Sequence, residues 1–213
     1  MANMSELSTA VATGKRVDAV RLTKELLEAG EPAKRIVDEG LVPGMAVVGE
    51  RFRCNEIFVP EMLVAARAMK EALKLLEADL AAAGVKPEFT AVIGTVQGDL
   101  HDIGKNLVAT MWRGANFEVV DLGTNVPPAR YVEVVRERKP HVVGISALLT
   151  TTMPAMRETV RALREAGVDG AKVVVGGAPI TEEFAREIGA DGFAADAGAA
   201  VDVVKRLLGR AVA

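Results

Sequence analysis

Asp99 and His101 are separated by one residue and form the pattern in this chain best suited to metal chemistry. They follow an apolar run, Thr90–Val96, and lie in a polar loop. A carboxylate two residues before a histidine can accept a hydrogen bond from one imidazole nitrogen and leave the other nitrogen free for a metal. The pair therefore predicts an imidazole that Asp99 orients and that coordinates through its second nitrogen.

A capped loop is the alternative interpretation of Asp-x-His, because the pattern is common. The chain has 2 histidines and 1 cysteine, whereas a dedicated zinc site draws on several His, Cys or carboxylate ligands. A single imidazole instead suits a metal that a macrocycle already holds. His141 follows Lys139 and Pro140, and we expect it to be an exposed loop residue. His101 is thus the predicted metal ligand.

Two further loops carry residues suited to a ligand site. The apolar run Val142–Ser146 leads into a hydroxyl-rich segment that includes Thr150–Thr152. The run Val173–Val175 is followed by Gly176–Gly177, which lack side chains and would open a channel for a long, flat ligand. A tight turn is the other interpretation of the paired glycines.

A dinucleotide or nucleoside triphosphate site is not supported. The glycines near the first apolar run are Gly94, Gly98 and Gly104, and they do not form the G-x-G-x-x-G pattern. The phosphate-binding pattern G-x-x-x-x-G-K-[ST] is also absent from the sequence.

The second half of the chain alternates between strand and helix patterns. The loops described above follow the predicted strands of this half. The predicted strands are Thr90–Val96, Phe117–Leu122, Val142–Ser146, Val173–Val175 and Gly192–Ala195, and the predicted helices are Ile103–Ala115, Pro128–Arg138, Met153–Ala166, Thr181–Ile188 and Ala199–Leu208. This alternation predicts an α/β fold with a doubly wound, five-stranded parallel sheet of the flavodoxin/Rossmann-like type. Ligands of such sheets bind beyond the carboxyl ends of the strands, where the strand order reverses.

The first half of the chain is predicted to be helical throughout. Apolar residues recur at helical spacing over Arg21–Leu27, Ala33–Val48 and Val59–Leu80. Breaks at Gly14, at Gly30–Pro32 and around Phe52–Pro60 leave about four helices, so we predict a four-helix bundle. A short linker with Gly and Pro separates this predicted cap domain, residues 1–86, from a ligand-binding domain, residues 87–213.

Composition argues against several classes of protein. The net charge is −3 with both signs interspersed, which does not favour a nucleic-acid partner. No stretch of about 18 apolar residues is present, so no membrane partner or span is expected. The first residues lack the pattern of a signal peptide. Cys54 is the single cysteine and no intrachain disulfide can form, so we expect a reducing, cytoplasmic location.

The three loops together resemble the three-part pattern of cobalamin-binding domains. The parts are Asp99-x-His101-x-x-Gly104, Ser146-x-Leu148 and Gly176-Gly177, each at a strand end. Residues 98–106, GDLHDIGKN, resemble the methyl-transferring branch: the corrinoid proteins of corrinoid-dependent methyltransferase systems and the cobalamin-binding region of methionine synthase. Segments within residues 40–69 resemble the helical cap of that family, and the resemblance covers nearly the whole chain.

The resemblance implies a role for each matching residue. His101 would be the lower axial ligand of cobalt in place of the cofactor's own nucleotide base, Asp99 would orient it, and Thr152 would extend the relay. Phe52 and Val59 would lie over the upper face of the corrin ring. The other residues expected to contact the cofactor or its displaced nucleotide tail are Asp102, Ile103, Gly104, Ser146, Leu148, Thr150, Gly176 and Gly177.

The function that the resemblance implies is that of a methyl carrier with cobalamin or a related corrinoid as cofactor. A methyl-donor:corrinoid methyltransferase would supply the methyl group, and an acceptor methyltransferase would pass it to tetrahydrofolate or a thiol. A reductive activator would be the third partner. No catalytic side chain is expected in this chain, because cobalt carries the reactivity and the partner enzymes hold the substrates.

Three other functions compete with the carrier. The small subunit of an adenosylcobalamin mutase shares the three-part pattern but typically lacks the helical cap. A cobalamin-dependent regulator usually brings a basic DNA-binding segment, and residues 1–14 are too short to be one. A flavodoxin-like domain without a cofactor is the last alternative. The helical cap together with the complete pattern favours the carrier.

Overall fold

The computed structural model describes residues 2–167 and 170–210, which form two compact units. The first unit comprises residues up to Pro87 together with Gly114–Asn116, and the second comprises Glu88–Arg113 and the residues from Phe117 onward. The predicted domain ranges also include residues 1, 168–169 and 211–213, which lie outside the described part of the chain. None of the helices in the described ranges combines the length and the apolar character that crossing a bilayer requires.

The regular elements of the first unit up to Pro87 are all helices in the described part of the chain. Its elements are α1 (Met4–Ala12), α2 (Arg16–Glu28), α3 (Ala33–Arg35), a π-helical segment (Ile36–Leu41), α4 (Val42–Arg53) and α5 (Val59–Ala82). The wide π-helical turn precedes Pro43, which has no N–H to donate to the carbonyl of Glu39 as an α-helix would require. The segments from Ala33 to Arg53 therefore continue one another as a single helical stretch.

Apolar side chains from all the longer helices form the core of the first unit. Helix α2 packs along α5, and α1 packs against α2 and α4. The largest side chains that are fully buried in this unit include Leu7, Ile36, Leu41, Met45, Met62 and Leu76. Their burial follows from the helical spacing seen in the sequence, because residues three and four apart share one face of a helix.

The second unit alternates strand and helix. Its elements are β1 (Phe89–Thr95), α6 (Ile103–Gly114), β2 (Phe117–Asp121), α7 (Pro128–Arg138), β3 (Val142–Ser146), a 3-10 turn (Thr150–Thr152), α8 (Met153–Glu165), β4 (Lys172–Gly176), α9 (Glu182–Glu187), β5 (Gly192–Ala194) and α10 (Ala197–Leu207). Each predicted strand and helix overlaps its observed counterpart, and no end differs by more than two residues.

The sheet has the order β2-β1-β3-β4-β5, and all the paired strands are parallel. The chain passes from β1 to β2 on one side and then returns to place β3 on the other side of β1. The strand order therefore reverses between β1 and β3, and loops after these two strands meet at the edge where ligands bind in such sheets. The predicted α/β fold with a five-stranded parallel sheet is confirmed.

Helices cover both faces of the sheet. On one face, Trp112 of α6 lies against Gly144 of β3, where a Cβ atom would come within 2.7 Å of the indole ring, and its Nε1 donates to the Ala200 carbonyl of α10 at 3.1 Å. On the other face, Tyr131 of α7 lies against Gly94 of β1. The glycines let the large, fully buried aromatic rings approach the strands.

Candidate metal centre

The histidine loop, residues 96–102, connects β1 to α6 and begins with a tight turn. The Asp99 N–H donates to the Val96 carbonyl at 3.1 Å, and Gly98 has φ +83°. This is the left-handed conformation that the third residue of a type II turn requires and that glycine adopts without strain. The turn leaves Asp99 fully buried, whereas Leu100 and His101 remain exposed.

The Asp99 carboxylate is surrounded by four hydrogen-bonding groups. Oδ1 accepts from the His101 backbone N–H at 3.0 Å and lies 2.7 Å from His101 Nδ1. Oδ2 accepts from the Leu148 N–H at 2.7 Å and from the Thr152 hydroxyl at 2.9 Å. The Thr152 hydroxyl is also 2.9 Å from the Leu149 carbonyl, so its single proton is shared between two acceptors. Both oxygens of the buried carboxylate are thereby satisfied.

These contacts hold Asp99 in its ionised form. Burial by itself raises the pKa of a carboxyl group, because the charged form loses its hydration. The hydrogen bonds from the backbone of His101 and Leu148 and from the side chains of His101 and Thr152 outweigh burial and lower the pKa of Asp99 well below its ordinary value. A fixed negative charge therefore lies directly behind the His101 ring.

His101 presents its second ring nitrogen to solvent. Its side chain is 51% exposed, and Nδ1 faces the ionised carboxylate, which can only accept a hydrogen bond. Nδ1 therefore carries the proton of the neutral ring, and Nε2 keeps a free lone pair. This is the tautomer in which an imidazole binds a metal through Nε2.

His141 has the opposite tautomer. Its Nδ1 accepts the Thr90 backbone N–H at 3.0 Å, so in the neutral ring the proton is on Nε2. The ring also stands edge-on to Phe89, with centroids 5.3 Å apart. His141 is exposed, as expected. Of the two histidines, His101 is the one with a nitrogen lone pair free to bind a metal.

The residues around His101 suit a metal that arrives with most of its own ligands. Within the described ranges, no group of three or more His, Cys, Asp or Glu side chains could hold a metal ion. Large apolar side chains are exposed next to His101 and in the loop after β3: Leu100 and Ile103 are each 73% exposed, and Leu148 and Leu149 are 42% and 41% exposed. Exposed apolar side chains around one free imidazole fit a flat macrocycle with a central metal.

The structure brings four of the predicted site residues together. Asp99, His101, Leu148 and Thr152 form one hydrogen-bonded group, although Leu148 and Thr152 are 49 and 53 residues from Asp99 in the sequence. Leu148 takes part through its backbone N–H. The relay from His101 through Asp99 to Thr152 thus has hydrogen-bonding geometry, while its role toward cobalt stays a prediction.

Gly176 and Gly177 are required by the packing of the protein itself. Gly176 pairs with Ser146 in the β3–β4 register, and a Cβ atom on Gly176 would lie 2.8 Å from the Ala194 carbonyl oxygen. Gly177 has φ +136°, and its Cβ atom would lie 1.8 Å from the Ala147 carbonyl oxygen. Backbone atoms fill the positions where side chains would stand, so the glycines are explained without a ligand. The nucleotide-tail channel beside them stays a prediction.

The remaining predicted site residues lie at the edges of the site or elsewhere. Asp102 is exposed and accepts from the Asn106 side chain at 3.0 Å, and Ile103 and Gly104 open α6. A Cβ atom on Gly104 would meet no protein atom within 4 Å, so its surroundings are open. Thr150 is exposed in the 3-10 turn.

Phe52 and Val59 belong to the first unit. Phe52 lies in the last turn of α4, Val59 is the first residue of α5, and both are half-buried. Their predicted contact with the cofactor stays a prediction.

Sequence reasoning missed the polar residues that brace the histidine loop. Thr95 is fully buried, and its hydroxyl donates to the His101 carbonyl at 2.9 Å. The Asn125 side chain accepts the Gly98 N–H at 2.8 Å. Lys105 is buried and donates to both oxygens of Asp121 at 2.7 Å. The signal that points to Asn125 is the polar segment that follows β2, because β2 ends beside β1.

Comparison with known proteins gives matches along nearly the whole chain. Two protein-family models, both described as B12 binding domain, match residues 89–204 and residues 4–77. The dimethylamine corrinoid protein 1 of Methanosarcina mazei is 41% identical over 207 residues, which cover 96% of this chain and 95% of that protein. The trimethylamine corrinoid protein of Methanosarcina barkeri is 44% identical over 193 residues, 89% of each chain.

Two solved structures resemble this chain in fold. A cobalamin-binding protein from Desulfitobacterium hafniense matches with a TM-score of 0.83 and 32% identity, over 97% of this chain and 98% of that chain. A chain in the methanol:cobalamin methyltransferase complex of Methanosarcina barkeri matches with a TM-score of 0.84 and 29% identity, over 98% of this chain and 80% of that chain.

Proposed function

Because this chain belongs to the family of B12-binding corrinoid proteins, we propose that it holds cobalamin or a related corrinoid through His101 and carries a methyl group between two methyltransferases. The observation that carries the proposal is the Asp99–His101 contact of 2.7 Å, which leaves Nε2 of a half-exposed imidazole free. When bound, a corrinoid supplies a cobalt centre that accepts and releases methyl groups, chemistry that no protein side chain provides.

The residues of the site fit this cofactor. His101 Nε2 would hold the cobalt of the corrinoid, in place of the cofactor's own base. Asp99 holds the Nδ1 proton and fixes the orientation of the ring, since its carboxylate is itself held by Leu148 and Thr152. The exposed apolar residues near His101 would hold the apolar surface of the cofactor and would exclude water from the site.

The proposed partners follow from the relatives. Two relatives are named for dimethylamine and trimethylamine, and one structural neighbour is a chain of a methanol:cobalamin methyltransferase complex. We therefore propose a methyl-donor:corrinoid methyltransferase as one partner, with a methylated amine as the favoured donor class. An acceptor methyltransferase that uses tetrahydrofolate or a thiol, and a reductive activator, complete the proposed set.

The cobalt ligand can be tested with nitrogen isotopes. Protein grown on ¹⁵N is loaded with unlabelled hydroxocobalamin, the cobalt is reduced to its paramagnetic cobalt(II) form, and the electron paramagnetic resonance spectrum is recorded. If His101 is the ligand, the nitrogen splitting changes from the ¹⁴N to the ¹⁵N pattern. A splitting that kept the ¹⁴N pattern would show that the cofactor's own base is bound, and the proposal would be wrong.

The two histidines provide a matched pair of variants. His101→Ala should remove the protein-nitrogen splitting, whereas His141→Ala should keep it, because His141 Nδ1 is used by the Thr90 N–H. Loss of the splitting in both variants would indicate general damage to the unit. Persistence of the splitting in His101→Ala would exclude His101 as the ligand.

The carrier role has its own test. Reduced, cofactor-loaded protein is incubated with trimethylamine, dimethylamine or methanol, and consumption of the donor is followed. We expect no consumption until a cognate methyltransferase is added, because the chain has no substrate site of its own in this proposal. Consumption without a second protein would assign the catalytic step to this chain.

A further inference from the structure

The β2–α7 loop, residues 122–127, runs alongside the histidine loop and is hydrogen-bonded to the end of β1. The Thr95 N–H donates to the Gly123 carbonyl at 2.9 Å, and the Val126 N–H donates to the Thr95 carbonyl at 2.9 Å. An isolated bridge between Val96 and Val126 continues this pairing. The β2–α7 loop is therefore held against the segment that leads into Asp99.

Asn125 makes two hydrogen bonds to the turn that precedes His101. Its side-chain Oδ1 accepts the Gly98 N–H at 2.8 Å, and its backbone N–H donates to the Asp99 carbonyl at 2.9 Å. The two bonds hold the peptide units on either side of the Gly98–Asp99 peptide bond. Asn125 has φ +54°, a conformation that asparagine adopts more readily than most residues.

The hydrogen bond from the Gly98 N–H to the Asn125 side chain restrains the residue of the turn that has the greatest conformational freedom. Gly98 has no Cβ atom, so its left-handed conformation has few steric restraints of its own. Without an acceptor at Gly98, the turn can relax and shift Asp99 relative to Leu148 and Thr152, which are on other elements. The Asn125 amide oxygen is the acceptor that holds the Gly98 N–H in this turn.

Lys105 and Asp121 fix the start of the β2–α7 loop. Asp121 Oδ1 accepts the Gly123 N–H at 2.9 Å, and both carboxylate oxygens accept from the buried Lys105 ammonium at 2.7 Å. Since Lys105 is in the first turn of α6 and Asp121 is the last residue of β2, this ion pair joins the end of the histidine loop to the start of the β2–α7 loop. The loop that contains Asn125 is thus anchored at its start by the Lys105–Asp121 ion pair.

We propose that Asn125 is a positioning residue for the axial ligand: its side-chain amide oxygen holds the Gly98 turn in the geometry that lets Asp99 orient His101. This inference rests on the proposed function, in which His101 binds cobalt. Asn125 acts through Gly98 and Asp99.

Two variants at one position isolate the amide oxygen. Asn125→Gly removes the acceptor and keeps the positive φ without strain, whereas Asn125→Asp keeps an acceptor oxygen. Asn116→Gly is the control, because Asn116 also has a positive φ, of +66°, and lies in the turn between α6 and β2. Each protein is loaded with hydroxocobalamin and reduced to the cobalt(II) form.

The measured quantity is the ratio of histidine-ligated to unligated cofactor, read from the protein-nitrogen splitting. It is compared at one acidic pH at which the unsubstituted protein shows both forms. We expect Asn125→Gly to lower this ratio between about threefold and tenfold, the range that one hydrogen bond supplies. Asn125→Asp and Asn116→Gly should stay within about twofold of the unsubstituted protein.

The outcomes separate this inference from the proposed function. If the unsubstituted protein gave no protein-nitrogen splitting, the proposed function would fail and this inference with it. If the splitting were present but Asn125→Gly matched the unsubstituted protein, the positioning role alone would be overturned. A loss in Asn125→Asp as large as in Asn125→Gly would also overturn it, because the acceptor oxygen would then not matter.

Discussion

The ends of β1 and β4 both carry residues of the cobalamin-binding pattern, but the structure uses them differently. At the end of β1, His101 and Leu100 are exposed, and a side chain on Gly104 would meet open space. At the end of β4, a side chain on Gly176 or Gly177 would collide with backbone carbonyls of neighbouring segments. The motif residues after β1 are thus exposed to solvent, whereas those after β4 are packed against backbone atoms.

The difference shows that residues of one motif can be required for different physical reasons. Folding alone requires Gly177, since no larger residue fits beside Ala147. Folding does not require a glycine at position 104 or an imidazole at position 101. The residues around His101 are therefore the ones that indicate a ligand. The β4 glycines are explained by the packing of the protein itself.

Gly177→Ala is expected to have the largest effect on stability. Its methyl group would lie 1.8 Å from the Ala147 carbonyl oxygen, so the β3 and β4 ends must separate. We expect a loss of about 3 kcal/mol or more in the free energy of unfolding of the cofactor-free protein, measured in urea. Gly189→Ala is the control, since φ is +79° there but a Cβ atom meets nothing within 4 Å. Equal losses in the two variants would show that backbone strain, and not the contact, is what matters.

Asp99→Ala is expected to cost about 3 kcal/mol in the same measurement. It leaves the Leu148 N–H and the Thr152 hydroxyl without their carboxylate partner in a buried environment. Asp102→Ala, an exposed carboxylate in the same loop, should cost about 0.5 kcal/mol. A similar cost for both variants would contradict the assignment of Asp99 as the centre of the buried network.

The contribution of Asp99 to the free energy of unfolding should depend on pH. Because the folded state lowers the pKa of Asp99, the ionised carboxylate stabilises the fold above the ordinary carboxyl value of about 4. As the pH falls below that value toward the folded-state pKa, the unfolded chain takes up the proton first and this stabilisation is lost. The stability difference between the unsubstituted protein and Asp99→Asn should therefore shrink between about pH 5 and pH 3. A difference that stayed constant over this range would show that charge is not the stabilising property.

Thr152→Val should cost about 1–2 kcal/mol, since it removes one donor to a buried, charged acceptor and keeps the shape of the side chain. Thr152→Ser should restore most of that loss. Thr159→Val is the matched control, because the buried Thr159 hydroxyl donates only to the Ala155 carbonyl one turn earlier in α8. The loss of stability is measured for the three variants from their urea midpoints. A larger loss in Thr159→Val than in Thr152→Val would contradict the role of Thr152 as a donor to Asp99.

Gly104→Ala should have the smallest effect on the cofactor-free protein. The residue is exposed at the start of α6, so the free energy of unfolding should change by no more than about 0.5 kcal/mol. If the corrin ring lies against this turn, the dissociation constant for hydroxocobalamin should rise about tenfold, which corresponds to about 1.4 kcal/mol. Unchanged affinity would place the ring away from Gly104.

The sequence by itself was sufficient to predict the fold class and the cofactor. Strand and helix periodicities are local, so alternation after residue 88 predicted a parallel sheet, and the sheet is present. The resemblance of the three-part pattern to cobalamin-binding domains implied the cofactor, and the family match agrees. Strand ends were less accurate: Thr90–Val96 was predicted where β1 is Phe89–Thr95, because the apolar pattern continues past the last regular pairing.

Only the tertiary structure decided which groups meet at the site. The strand order places β3 beside β1, and this brings the Leu148 N–H and the Thr152 hydroxyl to Asp99. The same order places the segment after β2 beside the histidine loop, which is how Asn125 reaches Gly98. Local periodicity carries no information about strand neighbours, because the pairing of distant segments is determined by the packing of the whole sheet and its helices. The tautomers of His101 and His141 were decided in the same way, by the partner that the fold places at each Nδ1.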